Sequence, residues 1–164
     1  MCIVKLIKRN NLVKRGWQFM IIGYIGNIGY PDTASSIHVR NRGIFMKSCG
    51  HEVHVLCELA SDGKRMEEVD ELTYQYMDPY PGQGKIRGAY WNLDQVFGKF
   101  YFKQTLKYLD KIKPDIIILY EPNSILYVLK MAKLSKKEGF KLVIETTEWR
   151  NPKDYRGIIS RVIN

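Results

Sequence analysis

The sequence predicts one Rossmann-like α/β domain of three layers, a mainly parallel sheet covered by helices on both faces, and three observations predict it. Short apolar runs of strand length alternate with stretches of helical periodicity. The opening stretch reads strand, glycine turn, helix, strand. A chain of 164 residues, 45% hydrophobic, can bury one core and is too short for two ordinary domains.

The elements follow in order. Ile21 to Gly26 is a short apolar run that leaves the sheet through Gly-Asn-Ile-Gly, as a buried strand does at a flexible turn. From Thr33 to Cys49, Ala34, Ile37, Val39, Ile44, Phe45 and Ser48 mark a helix, and Gly50 sits where a C-terminal glycine cap belongs. Glu52 to Cys57 is the second strand, with Val53, Val55 and Cys57 on one side. A third strand is expected at Leu72 to Met77, and Asp78-Pro79-Tyr80-Pro81-Gly82 then punctuates a turn leading into a loop. Leu93 to Ile112 reads as one long helix stopped by Pro114, and Asp115 to Tyr120 as a nearly all-apolar fourth strand. Ser124 to Lys137 is a further helix ended by Gly139, and Lys141 to Thr146 a fifth strand. A last helix is expected near Asp154 to Ile163, without a terminating signal, as though the chain were cut inside a larger protein.

Composition narrows the function classes. The 26 Lys+Arg against 17 Asp+Glu give a net charge of +9, which favours phosphate-bearing partners: anionic lipid, nucleic acid or nucleotide. Cys2, Cys49 and Cys57 have no metal-ligand spacing, and an odd count argues against a disulfide framework, so a cytoplasmic setting is expected. No apolar run approaches the roughly 20 residues of a membrane span, so membrane association would be peripheral. Residues 1–20 read as a basic extension that lacks the continuous apolar region of a signal peptide, and residues 21–164 as the domain.

Open α/β sheets bind ligands beyond the carboxyl ends of their strands, which directs attention to three segments. The first holds Gly26, Asn27, Ile28 and Gly29, whose backbone can approach a phosphate or sugar, or can simply make a strand-to-helix turn. Asp32, Thr33 and Ser35 follow, suited either to capping the helix or to holding sugar hydroxyls. The second brings Tyr120, Glu121 and Asn123 to one strand end, a phenol, a carboxylate and an amide for hydrogen bonding a carbohydrate, although Asn123 or Ser124 equally suits a helix cap. The third is Glu145, Thr146, Thr147 and Glu148, where neighbouring carboxylates could raise one another's pKa for acid–base work or serve structure alone. Neither G-x-G-x-x-G nor a P-loop is present, which counts against dinucleotide and NTP chemistry. His38, His51 and His54 share no metal spacing, so no metal site is assigned.

Lys99, Lys103, Lys107 and Lys111 recur every four residues among Phe97, Phe100, Tyr101, Phe102 and Tyr108. The plain reading is a solvated lysine face beside a buried aromatic one. The sharper reading is a membrane-facing patch that meets anionic headgroups.

Ile22-Gly23-Tyr24-Ile25-Gly26, then Arg40, Gly43 and Cys49-Gly50-His51-Glu52-Val53-His54-Val55-Leu56, resemble the opening of family-4 glycosyltransferases. The resemblance continues through Lys113-Pro114-Asp115-Ile116-Ile117 and Lys141-Leu142-Val143-Ile144-Glu145, in the family's order, and covers nearly everything after Met20. It implies the acceptor-side half of a GT-B enzyme: two Rossmann-like domains around a cleft, retaining transfer from a nucleotide sugar, and no required metal or other cofactor. Gly26 to Gly29 then fall on the family's first glycine-rich loop, and Thr146 to Trp149 on its polar segment after the fifth strand. Many members have a histidine and an acid there, where this chain has Thr147 and Glu148, the candidate catalytic pair. The donor would be held by a second domain with paired glutamates, and the acceptor would be a sugar or lipid-linked sugar of capsule, exopolysaccharide or glycolipid synthesis at the inner membrane face. Nucleic acid is not expected as a partner on this reading. Two alternatives remain: a free-standing basic module binding nucleic acid or membrane, and a fragment of a nucleotide-dependent oxidoreductase or epimerase.

Overall fold

The computed structural model of the chain describes residues 19–26, 28, 33–57, 65–122 and 124–146. The expected helix near residues 154–163 and most of the N-terminal extension lie outside them, but Met20 packs against the core. Strand β1 (Ile21–Gly26) leads to helix α1 (Ala34–Ser48) and strand β2 (Glu52–Cys57), the unit the sequence predicts. Strands β3 (Met66–Val69) and β4 (Leu72–Tyr76) form a hairpin, followed by helices α2 (Gly84–Phe97) and α3 (Lys99–Ile112). Strand β5 (Ile116–Tyr120), helix α4 (Ile125–Glu138) and strand β6 (Lys141–Glu145) complete the described domain.

The six strands lie in the order β3-β4-β2-β1-β5-β6. Every pairing is parallel except that of β3 with β4. The architecture is the Rossmann-like, three-layer one that the alternation of strands and helices predicts. From β1 the chain winds toward one edge through β2, then returns across the sheet to place β5 beside β1. The reversal leaves a crevice between the carboxyl ends of β1 and β5, the place where open α/β sheets receive ligands.

Alternation along the strands splits the core into two layers. Tyr24, Val53, Val55, Tyr74 and Ile118 share one layer with Val39 of α1. Ile25, Leu56, Ile117 and Leu119 share the other with Tyr108 and Leu109 of α3 and Tyr127 and Met131 of α4.

Four details depart from the expected elements. Helix α1 is where the sequence puts it, but its buried face is Ser36, Val39 and Gly43, while Ile37, Ile44 and Phe45 face solvent. Gly43 suits this face: a Cβ there would come within 2.7 Å of Leu72 Cδ1, so any other residue would require the Leu72 side chain to shift. Strand β3 was not expected, because its turn is built from Asp70 and Glu71, both at positive φ, where Asn-Gly is the usual signal. Arg40 and Lys47 of α1 pair with Asp70 and Glu71 and tie the turn down. The loop expected after Gly82 is helix α2, whose first ten residues are all exposed and so carry no core-facing pattern. Finally, the single helix expected over 93–112 is broken at Gly98, which has φ of 54°. A Cβ on Gly98 would meet the side chain of Tyr127, and the buried Asp94 carboxylate accepts hydrogen bonds from the amides of Phe100 and Tyr101, at 2.7 and 2.9 Å, to cap the new helix.

Candidate functional site

The crevice at the carboxyl ends of β1 and β5 is a small, mostly apolar hollow. Ile25 and Gly26 form one side, Glu121, Pro122 and Ser124 the other, and the elbow between α2 and α3 closes it with Tyr80, Asp94 and Tyr101. Gly26 lies so close to the neighbouring strand that a Cβ would collide with the Tyr120 carbonyl oxygen. Only glycine lets β1 and β5 approach this closely at the sheet edge. Ile28, whose amide donates to the Gly26 carbonyl at 2.8 Å, is fully buried in the core and pins the turn from below. Its contribution to the site is the shape of the backbone. Glu121 holds φ of 45° and donates its amide to the Glu145 carbonyl at 2.9 Å, which joins the ends of β5 and β6. A non-glycine residue in the left-handed region costs energy that the surrounding structure must hold in place.

Most polar groups of the hollow are already engaged in building it. Tyr80 donates its hydroxyl to Asp94 at 3.2 Å, and Ser124 donates to the Val96 carbonyl at 2.8 Å while accepting from the Tyr127 amide as the α4 cap. Thr33 likewise caps α1: its hydroxyl accepts from the Ser36 amide, the Ser36 hydroxyl accepts from the Thr33 amide, and the exposed hydroxyls of Thr33 and Ser35 lie 2.8 Å apart. Of the two uses open to Thr33, capping is the one made in this structure.

A second group of side chains gathers at the end of β6, and sequence reasoning missed three of its members. The Glu145 carboxylate, only 11% exposed, faces His38 Nε2 and an Arg42 guanidinium nitrogen, each at 2.7 Å, and accepts the Tyr24 hydroxyl at 3.1 Å. The Tyr120 ring lies 5.5 Å from the His38 ring. Burial, and then the Glu145 charge, push the Tyr24 phenol well above its ordinary value, so it remains a donor. The sequence suggested that Glu145 would be set by neighbouring carboxylates. Among the described residues its partners are instead a histidine, an arginine and a phenol. Residues 38 and 42 share a helix face at i and i+4, which was the available signal; nothing in the sequence says that this face reaches β6.

Of the expected site residues, the structure brings Gly26, Ile28, Tyr120 and Glu121 to the carboxyl edge of adjacent strands, with exposed Thr146 following β6. Thr33 and Ser35 stand at the N-terminus of α1. Asn27, Gly29, Asp32, Asn123, Thr147 and Glu148 lie outside the described residues. Lys99, Lys103, Lys107 and Lys111 are all exposed on α3, but Lys107 is bound to Asp78 at 2.9 Å, and this hydrogen bond, with one from Gln104, holds the Asp78 carboxyl below its ordinary range. Among the described residues no cluster of histidine, cysteine and carboxylate side chains could hold a metal ion, and no helix is long and apolar enough to cross a membrane.

No family model matches this sequence, and no curated protein does. Solved structures do match by shape. A sucrose-phosphate synthase from Thermosynechococcus elongatus superposes with a TM-score of 0.56 at 12% identity, over 86% of this chain and 36% of that one. A glycotransferase of kitacinnamycin gives 0.48 at 14% identity, over 89% of this chain and 35% of that one. The C-terminal domain of a hydrogenase from Pyrococcus furiosus gives 0.47 at 14% identity, over 76% of this chain and 89% of that one. Only the first bears on the fold, and this chain spans about a third of its length. The chain has a glycosyltransferase-like fold, shared with one part of that sucrose-phosphate synthase.

Proposed function

We propose that this chain is the acceptor-binding half of a retaining, nucleotide-sugar-dependent glycosyltransferase of the GT-B type, akin to family 4, acting in capsule, exopolysaccharide or glycolipid synthesis. The observation that carries the reading is the crevice between β1 and β5, where a glycine that tolerates no side chain and a carboxylate at positive φ meet on one sheet edge. The shared fold with a sucrose-phosphate synthase supports it. The order of the short motifs from Ile22 to Glu145 supports the family.

On this reading the chain's own residues bind and orient rather than carry out the transfer alone. The acceptor sugar sits in the hollow at the carboxyl ends of β1 and β5, and Glu121 accepts one of its hydroxyls. Thr147 and Glu148, the expected catalytic pair, serve the reacting hydroxyl once a second domain, holding the nucleotide sugar without a metal, closes over the crevice. Proximity and orientation supply the rate enhancement that this half contributes.

The test begins with the coding sequence beyond Asn164. A second α/β domain with paired glutamates is expected there, and the longer protein should transfer sugar from a nucleotide sugar in a panel of UDP and GDP donors. Gly26→Val should then abolish transfer while donor binding persists. A longer protein that binds no nucleotide sugar would overturn the reading.

A further inference from the structure

Helix α2 carries the largest unexplained feature of the surface. Ile86, Tyr90, Leu93 and Phe97 are 62%, 49%, 57% and 53% exposed, although each is a large apolar or aromatic side chain. Their spacing of i, i+4, i+7 and i+11, at about 100° per residue, keeps them within an arc of about 60°. They form a stripe centred about 70° around the helix from buried Asp94. The stripe continues into an open apolar groove shared with Pro81 and Phe100 and bordered by Lys99 and Lys103. Single exposed apolar residues are ordinary; a contiguous stripe with a groove beside it marks an interaction surface.

Charge identifies what covers it. Between Pro79 and Lys107 the sequence has five basic residues and one acid, and that acid, Asp94, is buried in the elbow. Lys85 and Arg87 fall about 100° to either side of the stripe on the same helix. An apolar stripe flanked on both sides by cations is the pattern of a helix lying in the plane of a membrane surface, apolar side chains among the acyl chains and cations at the phosphates. A protein partner that covered the stripe would need a ring of carboxylates around an apolar centre, whereas an anionic bilayer offers both layers at once.

We infer that α2, with Lys99 and Lys103 of α3, is a docking surface for an anionic lipid bilayer. The placement differs from the expectation of four α3 lysines: the insertion face is on α2, and only the first two of those lysines border it. The inference is independent of the glycosyltransferase reading, because it rests on a different surface.

Co-sedimentation of the full chain with phosphatidylcholine vesicles, with and without phosphatidylglycerol, tests it. Partitioning should be at least about tenfold stronger with phosphatidylglycerol and should fall with added salt. The pair Leu93→Asp and Phe97→Asp should lower partitioning about tenfold or more. Lys99→Gln with Lys103→Gln, a change that leaves the apolar stripe intact, should remove much of the phosphatidylglycerol preference. Phe45→Asp, at an equally exposed site on α1, should change nothing. The inference is overturned if vesicles bind equally well without phosphatidylglycerol, if the Asp pair binds like the wild type, or if that pair instead dissolves a dimer seen in sedimentation velocity while vesicles are ignored. Matching circular dichroism melts confirm that each variant is folded.

Discussion

The face of the sheet under α3 and α4 closes with apolar and aromatic packing, whereas the face under α1 closes, near β6, with a charged tie. On the first, Leu119 and Met131 are fully buried, and Tyr127 meets Tyr101 edge to face at 4.9 Å between ring centres. On the second, α1 lies against β2 and β4 and reaches β6 through His38 and Arg42 on Glu145. Apolar packing responds little to salt, while charges at a partly open surface are screened by it. The difference gives the candidate site two unlike walls: a crevice floor at β1 and β5 backed by apolar packing, and a β6 end whose side chain is tied to α1 by charge.

Leu119→Ala should have the largest effect, a loss of about 2–5 kcal/mol in urea unfolding, unchanged by added salt. A salt-dependent deficit would mean that the two faces are not distinct. Glu145→Gln should come next, at about 1–3 kcal/mol, because it leaves the buried Tyr24 hydroxyl, His38 and the Arg42 guanidinium with a weaker acceptor. Its deficit should shrink as salt rises, and equal deficits at low and high salt would remove the contrast. The smallest effect belongs to Lys107→Met, no more than about 1 kcal/mol for an exposed pair. Because Lys107 lowers the Asp78 pKa in the folded state, its contribution is present above the ordinary aspartate value of 3.8 and is lost as pH falls through the lower folded value. Wild type and variant should therefore converge in acid; a gap that persists in strong acid would contradict the assignment.

Much of the frame was legible in the sequence because local signals and global fold agree there. The run Ile21–Gly26, the glycine after α1 and the continuous apolar β5 each announce their element. The candidate site was legible only as strand ends. The need for glycine at 26 follows from a collision with Tyr120, a residue 94 positions away, and His38 and Arg42 reach Glu145 from a helix across two strands. Such contacts have no local signature. The break at Gly98 had one, a glycine inside a helical pattern, but the periodic aromatics and lysines around it read through as one helix. Helix α2 was missed for the opposite reason, since a helix that turns its apolar stripe outward looks like a loop to any reading that expects burial.

The most direct test of the account is amide chemical-shift mapping of this chain with a panel of simple glycosides. Shifts at Gly26, Glu121, Thr146, their neighbours on the sheet edge and the Asp94–Gly98 elbow that closes the hollow are predicted, with the exposed start of α2 unmoved. No shift with any glycoside, or shifts gathered only on α2 and α3, would contradict an acceptor site between β1 and β5.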